Sequence, residues 1–225
     1  MNALELLYFT DPMCSWCYGF SPVLRELRQR HPDRFSLSLI TGGLRPDETR
    51  AMPAHMGLEI ASHWKHVQEA SGRDFDFSFF EKYPGFVYDT SPASRAVVAA
   101  WRMRNDCALD YQDELQKLFY ARAENPTILQ TFERAAAGIE LDVEEFRDMY
   151  NDKQTEDIVR GNFGLSFELG IRAFPTLCAR RDHELFIVTQ GYLPYDMLEE
   201  RLRKVGEQVH SRSRASNEAQ SGEAC

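Results

Sequence analysis

Two cysteines separated by two residues, at the junction of an apolar segment and a helical pattern, constrain this chain most. Cys14 and Cys17 flank Ser15 and Trp16, and residues 4–9 before them are apolar almost throughout. The apolar run predicts a buried strand, which places the thiols in the first turn of the following helix. Thiols at this spacing can form a disulfide across one helical turn, and the helix dipole favours a thiolate there.

The periodicities around the two cysteines predict a β-α-β start. Apolar residues at helical spacing indicate a helix from about Cys14 to His31, with a kink expected at Pro22. Residues 35–40 then alternate as a strand, and residues 42–46 end the unit. This order favours a right-handed crossover between two parallel strands.

The rest of the chain predicts helices followed by two more strands. Residues 47–169 carry apolar stripes at helical spacing, which we interpret as core packing. Strand patterns return at 174–178 and 185–189, and a final helix follows them. The sequence therefore predicts an α/β fold of the order βαβ…ββα, interrupted by a large all-helical insertion.

These patterns also predict the domain boundaries. Residues 1–46 and 170–210 would form one domain, and residues 47–169 would form the helical insertion within it. Residues 211–225 are polar and predict a disordered tail.

Composition limits the classes of partner. The 225-residue chain has a net charge of −9, which argues against nucleic acid and anionic membranes as main partners. No apolar run reaches the length of about 18 residues that a transmembrane helix needs. The start after Met1 lacks a basic region and a cleavage site, so we expect no secretory signal and a cytoplasmic location.

The other cysteines do not suggest a disulfide scaffold. Cys107 and Cys178 lie in apolar stretches and are predicted to be inert core thiols, whereas Cys225 ends the polar tail. An alternative for the Cys-x-x-Cys pair is half of a structural zinc site. A structural zinc ion takes four protein ligands, and the chain has no second Cys-x-x-Cys pair to supply the other two. Cys178 with His183 would be a poor substitute for that pair. We therefore predict no metal.

Several segments resemble one protein family. Residues 11–20, Asp-Pro-Met-Cys-Ser-Trp-Cys-Tyr-Gly-Phe, are similar to the active-site segment of DsbA-type members of the thioredoxin superfamily, in the cytosolic FrnE-like branch of predicted disulfide isomerases. Pro22, residues 42–44 and residues 174–176 fit the same branch, as does the position of the helical insertion. The resemblance covers roughly residues 4–209 and implies a thioredoxin fold.

The residues around the cysteine pair receive predicted roles. Cys14 would be the nucleophile, partly exposed, with its pKa lowered from about 8.5 into the range of about 3.5–7.5. Cys17 would be more buried and would resolve the mixed disulfide. Asp11 is compatible with a proton acceptor for Cys17, a solvent-facing turn residue or part of the helix cap. Ser15 and Trp16 would tune the redox potential, and Trp16 could equally contact a peptide or simply pack.

The resemblance assigns a substrate-binding loop to Phe174, Pro175 and Thr176. It implies a cis bond before Pro175, facing Cys14, with the backbone of Phe174 available to pair with an extended substrate. The alternative is an ordinary trans proline at the start of a strand. Strongly oxidising DsbA enzymes carry a histidine between the two thiols, and this chain has none.

These features predict a thiol–disulfide oxidoreductase of the disulfide isomerase or reductase type. It would act on protein or peptide thiols and disulfides and need no cofactor beyond the cysteine pair, with glutathione or another thiol reductant recycling it. One alternative is a glutathione-dependent transferase or isomerase of the kappa or hydroxychromene-carboxylate isomerase type, which typically has serine near the position of Cys14. The other is a non-catalytic, chaperone-like binding module whose aromatic residues at 77–88 line a peptide groove instead of packing the core.

Overall fold

The start of the chain forms the predicted β-α-β unit. Strand β1 (Leu4–Thr10) leads into helix α1 (Ser15–Arg30), which returns to strand β2 (Phe35–Thr41). β1 and β2 pair in parallel along their whole length, as predicted. Pro22 lies inside α1, and the kink there stays a prediction.

The middle of the chain is helical, as its apolar stripes indicate. This computed structural model describes residues 4–181 and 184–207. Its helices here are α2 (Ala54–Ser71), α3 (Phe79–Lys82), α4 (Ser91–Met103), α5 (Ala108–Gln116), α6 (Leu129–Gly138), α7 (Val143–Asn151) and α8 (Lys153–Glu168). A 3₁₀ turn at Asn105–Cys107 precedes α5, and a π-helical turn at Lys117–Ala121 follows it. In the described ranges, no helix is long and apolar enough to cross a membrane.

The two late strands complete a mixed four-stranded sheet. β3 (Thr176–Arg181) runs antiparallel to β1, and β4 (Glu184–Gln190) runs antiparallel to β3. The strand order is β2-β1-β3-β4. A last helix, α9, extends over residues 195–207. Chain segments from both ends therefore build one sheet, with the helical region between them in sequence.

Apolar side chains form one large core in the helical region and two smaller ones beside the sheet. Trp64 is at the centre of the first, with the rings of Phe75, Phe79, Phe119 and Tyr120 between 5.1 and 6.2 Å from its own. In the aromatic stretch at 77–88, the buried side chains are Phe79, Phe86 and Tyr88, while Phe77, Phe80 and Tyr83 pack partly buried against the same core. The core-packing interpretation of this stretch is therefore confirmed, and the peptide-groove interpretation is wrong.

Helix α1 contributes to the helical core and to one of the two cores beside the sheet. Met13, just before it, and Tyr18 pack in the helical core, whereas Phe20 and Leu24 pack in the core beside the sheet. The turn carrying the two cysteines therefore lies where the sheet meets the helical region. The predicted domain boundaries stay a prediction, and residues 211–225 lie outside the described residues.

Candidate redox site

The first turn of α1 brings the two thiols of the Cys-x-x-Cys pair together. Cys14 is the residue that precedes the helix, and its carbonyl accepts the N–H of Tyr18 at 3.1 Å. The Cys17 side chain lies within hydrogen-bonding reach of the Cys14 thiol. Both are free thiols. One helical turn thus holds two sulfurs side by side, as the spacing predicts.

Burial differs between the two thiols in the predicted order. Cys14 keeps 7 % of its surface exposed, while Cys17 has none. Cys17 is therefore the more buried thiol, but the expectation that Cys14 is partly exposed is wrong. The reason is tertiary: the Cys14 sulfur lies against a backbone carbonyl of a distant loop, at Phe174.

The pKa of Cys14 also departs from the expectation. The hydrogen bond with the Cys17 side chain, followed by burial, raises the pKa of Cys14 well above the usual range of a thiol. The backbone N–H of Cys17 acts in the opposite direction, as a helix N-terminus should, but it is outweighed. The predicted lowering is therefore wrong for this arrangement, because the hydrogen bond with Cys17 favours the protonated thiol and burial disfavours the thiolate.

The loop before β3 faces the cysteine pair. The Phe174–Pro175 peptide bond is cis, and the Cys14 thiol donates to the Phe174 carbonyl oxygen at 3.4 Å. Pro175 and Thr176 are buried, and their polar atoms bond internally: the Pro175 carbonyl accepts the N–H of Gly191, and the Thr176 hydroxyl donates to Ala173. Of the three predicted substrate-binding residues, Phe174 is therefore the one that is partly accessible.

Asp11 is completely buried and bridges two loops. Its Oδ1 accepts the N–H of Met13 at 2.9 Å, and its Oδ2 accepts the N–H of Leu44 at 2.7 Å. Burial raises the pKa of Asp11 to about 6, although these hydrogen bonds oppose the rise. The solvent-facing interpretation is wrong, and the helix-cap interpretation is wrong because Cys14 occupies that position. The proton-acceptor role stays a prediction.

Two glycines allow the 42–44 loop to approach the site closely. A Cβ added at Gly42 would lie 2.0 Å from Cε1 of Phe174. Gly43 has a φ of +72° and would meet the ring of Phe163, so side chains are disfavoured there on two grounds. The family resemblance singles out these two glycines, and the structure gives the physical reason. Phe174 occupies the space that a side chain at position 42 would need, and Phe163 occupies the space beside position 43.

The two residues between the thiols are half-buried. Trp16 packs against the helical core, and its ring centroid is 5.8 Å from that of Tyr192. The packing interpretation of Trp16 is therefore confirmed. The redox-tuning roles of Ser15 and Trp16 stay predictions.

Two tyrosines at the site were missed by sequence reasoning. The Tyr88 hydroxyl donates to the carbonyl of Met13 at 2.5 Å, which ties the helical region to the turn before Cys14. Tyr8 in β1 is buried close to Cys17. The alternation of side chains along β1 places Tyr8 on the side that α1 covers. The sequence pattern does not predict which residue of α1 the Tyr8 side chain contacts.

The remaining described cysteines do not belong to the site. Cys107 is buried and donates to the carbonyl of Ala100 at 3.3 Å. Cys178 is buried beside β1, and desolvation raises its pKa to about 11. Both are core thiols, as predicted. Over residues 4–181 and 184–207, no group of three or more His, Cys, Asp or Glu side chains could hold a metal ion; His183 and Cys225 lie outside those ranges.

The geometry of the turn and loop agrees with a match to a known family. The DSBA-like thioredoxin domain matches residues 5–203, most of the chain. The chain belongs to the DSBA-like thioredoxin domain family. The predicted thioredoxin fold with a helical insertion is therefore confirmed.

Individual relatives agree with this family. The ClpXP adapter protein SpxH of Bacillus subtilis is 22 % identical over 200 residues, which are 88 % of this chain and 66 % of SpxH. The chain thus spans just under two thirds of the length of that relative.

Solved structures of the same fold include proteins described as disulfide enzymes. A candidate protein disulfide isomerase from Nitrosomonas europaea aligns with a TM-score of 0.83 and 28 % identity, over 92 % of this chain and 98 % of that one. The cytosolic disulfide reductase DsbM of Pseudomonas aeruginosa aligns with a TM-score of 0.71 and 21 % identity, over 92 % and 99 %. DsbM has also been solved with GSH. A 2-hydroxychromene-2-carboxylate isomerase shares the fold at 11 % identity and a TM-score of 0.60, over 94 % and 98 %.

Proposed function

We propose that this member of the DSBA-like family is a thiol–disulfide oxidoreductase that exchanges disulfides in protein or peptide substrates through Cys14 and Cys17. The observation that carries the proposal is the arrangement of the two free thiols, which lie one helical turn apart at the start of α1, with the Cys14 sulfur 3.4 Å from the Phe174 carbonyl oxygen. Exchange requires two thiols that can close into a disulfide beside a surface for the substrate.

The difference in burial supports a division of roles between the two thiols. Cys14, the more accessible thiol, attacks a substrate disulfide, forms a mixed disulfide and releases one substrate thiol. Cys17, which solvent cannot reach, then attacks the Cys14 sulfur, closes the Cys14–Cys17 disulfide and releases the second substrate thiol. The two electrons that reduce the substrate come from the two protein thiols, so a thiol reductant must restore the pair.

The loop before β3 offers the substrate a backbone partner. Phe174 is partly accessible, and Arg172 and Ala173 before it are exposed. An extended peptide lying beside this segment can add to the backbone as a strand does, which would place its disulfide at Cys14. The Phe174 carbonyl already receives the Cys14 thiol, so the same oxygen would guide the reacting sulfur.

The proposed direction of the reaction is reduction or isomerisation, in the cytoplasm, with a thiol such as glutathione as the recycling reductant. We favour reduction or isomerisation, because the segment between the thiols lacks histidine and the pKa of Cys14 is raised. A raised thiol pKa weakens the stabilisation of the reduced form that makes a strong oxidant. A cytoplasmic location and recycling by glutathione or a similar thiol are supported by a fold neighbour named as cytosolic and solved with GSH.

The test is insulin-disulfide reduction with dithiothreitol as the recycling reductant. The wild-type protein should accelerate the reaction, and Cys14→Ser should reduce the rate to that of dithiothreitol alone. Cys107→Ser is the matched control, since it removes a buried thiol outside the site. Cys17→Ser should accumulate mixed disulfides that mass spectrometry detects on Cys14.

Three results would contradict this function. Full activity in Cys14→Ser would show that another group is the nucleophile. No activity in the wild type, together with glutathione conjugation that survives Cys14→Ser, would favour the transferase or isomerase alternative. Suppression of aggregation that survives loss of both thiols, with no disulfide turnover, would favour the binding-module alternative.

A further inference from the structure

Tyr8 presents a buried hydroxyl that the fold leaves without a well-aligned partner. The side chain lies in β1, is fully buried, and its ring centroid is 6.1 Å from that of Phe20 in α1. Within residues 4–181 and 184–207, the hydroxyl makes no hydrogen bond of normal geometry. Buried polar groups are almost always paired, so a hydroxyl in this position calls for a function.

The polar groups around this hydroxyl belong to the redox pair, to β1 and to α5. Cys17 and Thr10 both lie close enough to Tyr8 to change its pKa through hydrogen bonding. The Thr10 hydroxyl accepts from Nε2 of Gln112 at 2.8 Å, and Oε1 of Gln112 has no hydrogen-bond partner in the described part of the chain. All four side chains are buried. They form a polar cluster behind the second thiol, among β1, α1 and α5.

The protonation state of Tyr8 fixes what it can do. Burial, followed by the charge of Cys17, raises the pKa of Tyr8 well above the ordinary value of a phenol. The hydroxyl therefore stays protonated at neutral pH, where it can donate a hydrogen bond but cannot act as a base.

We propose that Tyr8 is a catalytic residue of the resolving step, with its hydroxyl donating a hydrogen bond to the Cys17 sulfur as that sulfur gains negative charge. This inference rests on the proposed function and adds a donor to its second step. A donor to a charged acceptor in a site without water contributes more than one in solvent. Gln112, through Thr10, positions the cluster from the helical region.

The resolving step balances without any further reactant. The Cys17 S–H bond breaks, a Cys14–Cys17 bond forms, and the bond between Cys14 and the substrate sulfur breaks. The substrate sulfur leaves with the electron pair of that bond and takes up the proton that Cys17 releases. Tyr8 keeps its own proton throughout.

A stopped-flow reaction of the reduced full-length protein with one equivalent of dithiobis(2-nitrobenzoate) separates the two steps. The first phase releases one coloured thiolate as Cys14 attacks, and the second releases another as Cys17 resolves the mixed disulfide. Tyr8→Phe, which keeps the ring, should slow the second phase about tenfold, as loss of about 1.4 kcal/mol of stabilisation would. Its pH–rate profile should move to higher pH, while the first phase stays unchanged.

Tyr111→Phe is the matched control for removing a buried hydroxyl. Tyr111 is also fully buried, but it lies in the helical core, where its hydroxyl donates to the carbonyl of Phe132 at 3.1 Å. It should leave the ratio of the two phases unchanged. Equal second phases in wild type and Tyr8→Phe, with equal thermal stability, would overturn the inference while leaving the function intact. Absence of a second phase in the wild type would instead contradict the proposed function.

Discussion

Two completely buried carboxylates, Asp113 in α5 and Asp11 before α1, have opposite electrostatic surroundings. Asp113 forms ion pairs with Arg25, Arg73 and Lys117. It also accepts the Ser21 hydroxyl at 2.5 Å. Burial opposes its ionisation, but Arg73 and then Ser21 and Lys117 outweigh burial and lower the pKa of Asp113 to about 2. This carboxylate joins α1 to the helical region as a permanent charge.

Asp11 is held by backbone N–H groups instead of cations. Its oxygens accept the backbone N–H groups of Met13 and Leu44, and within the described ranges Asp11 forms no ion pair. Burial then dominates and raises the pKa to about 6. The charge of Asp11 in turn contributes to the raised pKa of Cys14.

The comparison separates structural from functional electrostatics. Asp113, which connects α1 to the helical region, has its negative charge balanced by cations. Asp11, near the thiols, has a pKa of about 6 and therefore changes its protonation state close to physiological pH. Perturbed groups of the second kind are typical of reactive sites.

The largest effect should come from removing the compensated charge. Asp113→Asn leaves three cations around a buried neutral amide, and we expect the free energy of unfolding to fall by about 3–5 kcal/mol. Urea unfolding measures this loss. The matched control is Asp110→Asn in the same helix, whose side chain is 45 % exposed and 3.7 Å from Arg28; it should change stability by less than about 1 kcal/mol. Equal effects of the two substitutions would contradict the contrast.

The next effect concerns the sign of the pH dependence at Asp11. The folded protein binds this proton more tightly than the unfolded chain, with a pKa raised from 3.8 to about 6. Ionisation of Asp11 therefore removes on the order of 3 kcal/mol of stability as the pH rises from about 4 to about 7. Asp113, with a lowered pKa, acts oppositely, and its contribution is lost only as the pH falls from about 4 toward about 2.

Asp11→Asn isolates the contribution of Asp11. The variant should lie below the wild type in stability at pH 4, because its amide cannot accept both backbone N–H groups, and the difference should shrink toward pH 7. Chemical unfolding at a series of pH values gives both curves. A constant difference across that range would show that Asp11 does not titrate as proposed.

A smaller effect should follow from crowding the loop that supplies the Leu44 N–H. Gly42→Ala places a Cβ 2.0 Å from Phe174, and overpacking of this kind costs about 1–3 kcal/mol. Because Phe174 must move, its carbonyl leaves the Cys14 thiol, and the first phase of the reaction with dithiobis(2-nitrobenzoate) should slow. A variant with normal kinetics would show that the Phe174 contact does not guide Cys14.

The smallest effect is the control for glycine replacement. Gly161 lies in α8 with no atom within 4 Å of an added Cβ. Gly161→Ala should raise the free energy of unfolding by about 0.5–1 kcal/mol through helix propensity, with unchanged disulfide turnover. Thermal unfolding detects the gain. A loss of stability here would mean that glycine replacement, and not contact with Phe174, explains the Gly42→Ala result.

Local patterns predicted the parts of the fold that depend on neighbouring residues. The alternation at 35–40 gave β2, and the apolar run at 4–9 gave β1 and the position of Cys14 just before α1. β3 begins at Thr176, two residues after the start of the strand predicted at 174–178, because residues 174 and 175 form the loop that turns toward Cys14.

Contacts between distant segments could not be predicted. The expected exposure and low pKa of Cys14 assumed an open helix N-terminus, but Phe174, 160 residues away, contacts the thiol. Asp11 is buried because Leu44 completes its hydrogen bonds. The approach of Tyr8 to Cys17 depends on how α1 packs on β1, which alternation alone does not specify.

The most direct test of the central claim is a redox titration of the purified protein in glutathione buffers, with the products mapped by mass spectrometry. We predict a single two-electron transition that joins Cys14 to Cys17 and leaves Cys107 and Cys178 as thiols. A reduction potential of about −270 mV for the Cys14–Cys17 pair would indicate a reductase, and one of about −120 mV would indicate an oxidase. Failure of a Cys14–Cys17 disulfide to form at any glutathione ratio would contradict the account.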